Sequence, residues 1–131
     1  MSSRPYLFVY GTLKSSFQNR YARRLRREAR LLGRAHMPGR LYRIHWYPGM
    51  RKPLDPKDLV TGELFRLLQP SKTLGALDGY EGEHHYRREL HRATLENGEV
   101  LQAWVYMYRQ PRPEDCRVAS GEWQQKVGSA F

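Results

Sequence analysis

Pro5-Tyr6-Leu7-Phe8-Val9-Tyr10 is apolar, rich in aromatic and β-branched side chains, and stops at Gly11. It predicts a strand buried on both faces near the centre of a sheet. Beyond it, Phe17, Tyr21, Leu25, Ala29 and Leu32 recur at helical spacing, with Ser15 or Ser16 as N-cap and Gly33 past the end. Tyr42, Ile44 and Trp46 then alternate with Leu41, Arg43 and His45, the pattern of a half-buried strand that Tyr47-Pro48-Gly49 breaks. Met50 to Asp58, with Pro53 and Pro56, predicts a loop, and Leu59 to Leu67 another strand. Pro70-Ser71 opens a short helix in which Leu74 and Leu77 share a face, ending near Gly79. Tyr86 to Leu95 and Val100 to Tyr108 flank Glu96-Asn97-Gly98-Glu99, a hairpin whose Asn97 and Gly98 suit the positive-φ positions of a type I′ turn. A Pro-broken loop from Pro111 to Pro113 and a last helix or turn around Ser120 to Trp123 complete the pattern.

Strands and helices do not alternate as in a doubly wound sheet, and no internal repeat is present, so the elements predict an α+β fold whose sheet curls toward a small barrel. With 131 residues, 40% hydrophobic and 27% charged, the chain is expected to form a single domain spanning 1–131. No apolar run reaches the roughly 18 to 20 residues that cross a bilayer, and there is no signal-peptide pattern, which predicts a cytoplasmic protein with no membrane partner. The lone Cys116 excludes an internal disulfide framework and, in its Pro- and charge-rich loop, does not read as a nucleophile.

Charge changes the picture in one segment. The formal net charge is +10, yet residues 1–52 carry 13 basic side chains and one acid, Glu28, whereas residues 53–131 carry 10 basic and 12 acidic. Most of the excess falls on the first helix, at Arg20, Arg23, Arg24, Arg26, Arg27 and Arg30, positions that lie on its solvent face. Such a face can contact nucleic acid, and it is equally a solvated helix surface; no helix-turn-helix, RNA-recognition or zinc-finger signature accompanies it.

Two places can carry chemistry. A buried strand ending in Gly11-Thr12-Leu13 before a helix leaves backbone N–H groups pointing into the turn, where glycine permits close approach and a carboxylate can be held. The turn is too short and glycine-poor for a phosphate-cradling loop, and the same sequence also serves as a plain tight connection. Glu81 follows the second helix, at the negative pole of its dipole and among Leu77, Tyr80 and Tyr86, and both influences raise a carboxyl pKa. A glutamate so tuned exchanges protons near neutral pH; the plainer alternative is a loop glutamate paired with Arg87 or Arg88. His84 and His85 beside Glu81 and Glu83 lack metal-ligand spacing, so neither metal nor cofactor is expected.

Three sets of residues together resemble the gamma-glutamyl cyclotransferase-like family. They are Tyr6 to Lys14 with its Tyr10-Gly11-Thr12-Leu13 loop and Asn19 beyond; Leu77-Asp78-Gly79-Tyr80-Glu81-Gly82 followed by Tyr86-Arg87-Arg88; and, in order, Tyr47-Pro48-Gly49, Thr61 to Phe65 and Ser120 to Trp123. The resemblance implies a small mixed β-barrel-like sheet with flanking helices. It further implies an enzyme of the acyltransferase or lyase type, needing no cofactor, in which the α-amine of a small-molecule γ-glutamyl substrate attacks its own γ-carbonyl to release 5-oxoproline and an amine or amino acid. Glu81 would be the proton carrier, the backbone of Tyr10, Gly11, Thr12 and Leu13 would hold the substrate, and Tyr86 would line the pocket. Thr12-Leu13 stands where the better-characterised branch has Ser-Asn, making the chain similar to the branch that contains γ-glutamylamine cyclotransferases. A non-catalytic ligand-binding member of the same fold, or a basic nucleic-acid-contacting protein, is the other reading.

Overall fold

The structure is a computed structural model and describes residues 4–11, 19–82 and 85–124. Strand β1 (Tyr6–Val9) is followed by helix α1 (Arg20–Glu28) and strands β2 (Ala29–Pro38), β3 (Arg40–Arg43), β4 (Pro48–Arg51) and β5 (Leu59–Leu67). Helix α2 (Pro70–Gly82), strands β6 (Tyr86–Leu95) and β7 (Val100–Tyr108) and a 3₁₀ turn at Glu114–Cys116 complete the order. The strands run β1-β5-β2-β6-β7-β4-β3 across the sheet, and a further β1–β7 pairing closes the first five into a barrel, with β4 and β3 as an extension. Closure leaves the barrel strands without a free edge, which a mixed sheet this small otherwise exposes.

Strand β1 is central, as its composition predicts: it pairs antiparallel with β5 from Tyr6↔Arg66 to Val9↔Glu63 and parallel with β7 at Leu7↔Trp104. Its side chains divide between two cores. Phe8 and Tyr10 join Met37, Leu64, Val105 and other inward residues of the barrel. Leu7 and Val9 join Leu25 of α1, Leu74 and Leu77 of α2, and Phe65 in the layer beneath the helices. A strand between two apolar layers has no polar side, which is why its sequence shows no alternation.

Helix α1 is shorter than its periodicity predicts. It is capped by the Asn19 side chain, which accepts from the Ala22 N–H at 2.8 Å, and it ends at Glu28. Ala22 and Leu25 are buried, and Arg20, Arg23, Arg26 and Arg27 project outward. Ser15, Ser16 and Phe17 lie outside the described residues. Ala29 and Leu32, which continue the helical spacing, belong instead to β2, whose ladder with β5 runs from Ala29↔Leu67 to Pro38↔Leu59. The ladder pairs β2 with β5 along its length, and that outweighs a local helical preference. Gly33 does not stop a helix; it takes φ 142° at a bulge where the register shifts between Leu31 and Gly33.

Three further expectations are corrected. Strand β3 stops at Arg43, and β4 spans the end of the Tyr47-Pro48-Gly49 break and the first residues of the stretch read as a loop, pairing with β3 from Arg40↔Arg51 to Arg43↔Pro48. Helix α2 runs on to Gly82, so Glu81 sits in its last turn and not beyond it. The β6–β7 hairpin has the predicted bounds and pairs from Tyr86↔Tyr108 to Thr94↔Val100. Its turn differs: only Gly98 has positive φ, at 92°, and the Gly98 N–H donates to the Leu95 carbonyl at 2.9 Å, the geometry of a turn followed by a glycine bulge. No helix among the described residues is long and apolar enough to cross a membrane.

Candidate active site

The site forms where β1 and β4 part. Both lie against β7, β1 at Leu7↔Trp104 and β4 at Met50↔Met107. In the gap between them, the buried Tyr10 hydroxyl donates to the Tyr106 carbonyl at 2.6 Å and accepts from the Met50 N–H at 3.0 Å. A side chain thus satisfies two backbone groups that the ladder leaves unpaired. Gly11 follows, and a Cβ there would fall 2.7 Å from Cγ of Pro48, so the absence of a side chain lets the end of β1 and the start of β4 meet.

A cavity of about 40 Å³ opens beside this junction. Tyr10 and Gly11 line it just past β1, Trp46 and Tyr47 from the β3–β4 turn, and Pro48 from the start of β4. Tyr80 and Glu81 enter from α2, and Tyr86 and Tyr106 from the hairpin. Trp46 is 62% exposed and contacts Tyr47 edge-on at 5.1 Å, while Tyr80 stacks on Tyr21 of α1 at 4.0 Å. Among the described lining residues there is no Lys, Arg or His, so Glu81 is the one side chain there that ionises near neutral pH.

Glu81 faces inward because it lies four residues after Leu77, which is buried, and so shares that face of α2. Loss of hydration on burial pushes its carboxyl up to about 7. The carboxyl-terminal pole of α2 acts in the same direction. Neither neighbouring arginine neutralises it: Arg87 pairs with Glu89 at 3.3 Å, and Arg88 makes two hydrogen bonds to Asp78, at 2.9 and 3.0 Å. Among the described residues no ion pair reaches Glu81. Burial, reinforced by Glu81, raises the Tyr10 hydroxyl well above its ordinary range, and the Met50 N–H draws it back in part. Tyr86 is raised chiefly by burial and stays a neutral phenol; its hydroxyl donates to the Pro48 carbonyl, leaving oxygen lone pairs as acceptors.

The described lining of the cavity therefore holds one carboxyl, raised toward neutrality by burial, among tyrosines and beside the backbone end of a buried strand. Residues 7–125 match the family model described as gamma-glutamyl cyclotransferase, AIG2-like. The chain belongs to that family. A Methanocaldococcus jannaschii protein, whose name gives it provisionally as a gamma-glutamylcyclotransferase, is 28% identical over 128 residues, 94% of this chain and 98% of that one. A crystal structure of an AIG2-like protein from Mus musculus superposes with a TM-score of 0.67 at 26% identity, over 84% of this chain and 80% of that chain. YkqA from Bacillus subtilis superposes with a TM-score of 0.73 at 20% identity, and the chain spans 92% of its own length but only 40% of YkqA.

Of the residues marked from sequence, Glu81, Tyr10, Gly11 and Tyr86 meet at the one cavity, although Glu81 is about seventy positions from the β1 end. Thr12 and Leu13 lie outside the described residues, as do Glu83 and His84. Beside Gly11 the space that glycine leaves is filled by the Pro48 ring, not held open for a guest. Sequence reasoning missed Trp46, Tyr47 and Tyr80 as wall residues, and it missed the pairing of Arg88 with Asp78. The signal for that pairing was present: Tyr86, Arg88 and Leu90 alternate onto one face of β6, and Asp78 shares a helical face with Leu74 and Glu81. Among the described residues, no three His, Cys, Asp or Glu side chains gather as metal ligands would.

Proposed function

We propose that the protein is a gamma-glutamyl cyclotransferase in which Glu81 carries the proton. The observation that carries this reading is the Glu81 carboxyl, half-buried in an aromatic cavity with no cation among the described residues to fix it as an anion. In the reaction, ionised Glu81 takes a proton from the substrate's α-ammonium group. The freed nitrogen attacks the γ-carbonyl carbon, forming the C–N bond of the five-membered lactam. The protonated glutamic acid donates to the departing nitrogen as the original amide bond breaks, and the second proton that the ring nitrogen sheds in becoming the lactam N–H passes to the released amine, which leaves as an ammonium ion. The products are 5-oxoproline and an amine or amino acid, with Glu81 returned to its anion.

Such chemistry asks little of the protein beyond shape and one proton carrier, because nucleophile and electrophile belong to one molecule. The backbone of residues 10 to 13 would receive the polar end of the γ-glutamyl group and stabilise the developing oxyanion. Tyr86, its proton committed to Pro48, would accept a hydrogen bond from the substrate ammonium. Incubating the protein with γ-glutamyl amines and γ-glutamyl dipeptides and measuring 5-oxoproline tests the reading. Release by the wild type is expected, with loss of about 10²- to 10⁴-fold in Glu81→Gln at unchanged folding. Turnover unaltered in that variant contradicts the mechanism, and a silent wild type across the panel favours a ligand-binding member of the same fold.

A further inference from the structure

Asp78 and Arg88 stand just outside the cavity and take no part in the chemistry above. Arg88 and Tyr106 are directly opposite each other on the β6–β7 ladder, and both reach the same carboxylate on α2. The Arg88 Nε and Nη2 donate to the two Asp78 oxygens at 2.9 and 3.0 Å, and the Tyr106 hydroxyl donates to Oδ1 at 2.8 Å. The guanidinium also lies over the Trp104 ring, 4.2 Å from its centroid, which fixes its plane. Tyr106 in turn lines the cavity, and its carbonyl anchors the Tyr10 hydroxyl. Asp78 is three residues before Glu81, so the two carboxylates are near neighbours on the helix surface. Side by side, an unpaired anion at Asp78 or an unpaired cation at Arg88 would act strongly on Glu81.

We propose that Asp78 is a positioning residue for Glu81: with Arg88 and Tyr106 it clamps the last turn of α2 onto the β6–β7 hairpin and keeps the Arg88 guanidinium away from the Glu81 carboxyl. This rests on Glu81 being the proton carrier. Among the described residues, the titratable groups that line the cavity with Glu81 are Tyr10 after β1, Tyr47 in the β3–β4 turn, Tyr80 on α2, Tyr86 on β6 and Tyr106 on β7, with no cation among them. Among the described residues, the clamp sets an anion and a cation beside the Glu81 turn of α2 and cancels them against each other. Consistent with this, although burial works to raise Asp78, the hydrogen bonds of Arg88 and Tyr106 bring it below the ordinary carboxylate range.

Two variants separate the clamp from a merely structural contact, because they release opposite charges. Asp78→Asn frees a cation and Arg88→Gln frees an anion. The Glu81 carboxyl is followed by ¹³C NMR titration, its resonance assigned by loss in Glu81→Gln. The Glu81 midpoint is expected to fall in Asp78→Asn and to rise in Arg88→Gln, and kcat for 5-oxoproline release at pH 7 to drop by about 10- to 100-fold in both, with KM changed much less. Shifts of the same sign, or none, overturn the proposal; if one variant does not fold, the sign in the other decides. The titration reads the clamp even if the wild type releases no 5-oxoproline, so failure of the clamp and failure of the proposed reaction are told apart.

Discussion

A carboxyl poised near 7 inside a folded protein leaves a trace in stability as well as in chemistry. Glu81 has an ordinary value of 4.5 in the unfolded chain and about 7 in the fold. Between those two values the folded state binds the extra proton, so this group's contribution to stability falls as pH rises through the window and levels off above it. The full shift corresponds to roughly 3 kcal/mol at about 1.4 kcal/mol per unit. Glu81→Gln removes the ionisation, and its melting temperature is expected to exceed that of the wild type at pH 8 while the two nearly coincide at pH 4. A variant less stable than the wild type at pH 8 would show that the carboxylate is held by favourable partners. Asp78, Glu28 and Glu89 are lowered, not raised, so their contributions are lost only toward acid and lie outside this window. At this scale the sequence was informative about Glu81, because its apolar and aromatic neighbours Leu77, Tyr80 and Tyr86 and the nearby helix end gave the sign of its shift. For Arg88 the spacing signal left two candidate partners, Asp78 and Glu81, because the strand position relative to α2 that chooses between them is decided only by the fold.

Among the elements, strands with strong apolar runs were legible and those defined by a neighbour were not. β1, β5, β6 and β7 have the bounds their composition predicts to within a residue or so, because each contributes to a buried core. The start of β2 and all of β4 escaped notice. Ala29 to Leu32 fits a helix as well as a strand until β5 is alongside, and Pro48 at the first position of β4 is where a strand tolerates proline. The junction of β1 and β4 has a testable weak point. Tyr10→Phe keeps the ring in the barrel core but strips the Met50 N–H and the Tyr106 carbonyl of their partner, and both are buried. A loss of about 1–3 kcal/mol in denaturant unfolding is expected, whereas a change below about 0.5 kcal/mol would mean that the strands close the gap themselves. Helix α1 is held differently, by the Tyr21–Tyr80 stack and by Glu28, whose carboxylate accepts from the Thr73 hydroxyl at 2.6 Å and pairs with Arg24 at 3.3 Å.

For the molecule as a whole, the strong positive charge and the cavity are separate features. The arginines of α1 project from its outer face, whereas the described cavity lining is aromatic with one acid, so among the described residues this charge does not line the site. What joins the distant parts of the chain is barrel closure: β7 carries β1 and β4 on one side and β6 on the other, and α2 lies across them with its last turn over the seam. That arrangement was visible in the sequence only through the resemblance of its motifs, since neither Tyr10 nor Glu81 reports locally on the other. The claim on which the account stands is that the cavity's carboxyl takes up and returns a proton near neutral pH. The pH dependence of kcat/KM for 5-oxoproline release between pH 5 and 8 tests it most directly. The account predicts a rise of about tenfold per unit at low pH that levels off with a midpoint near 7, the value to which burial pushes Glu81. A midpoint near 4.5, or a flat profile, would contradict it.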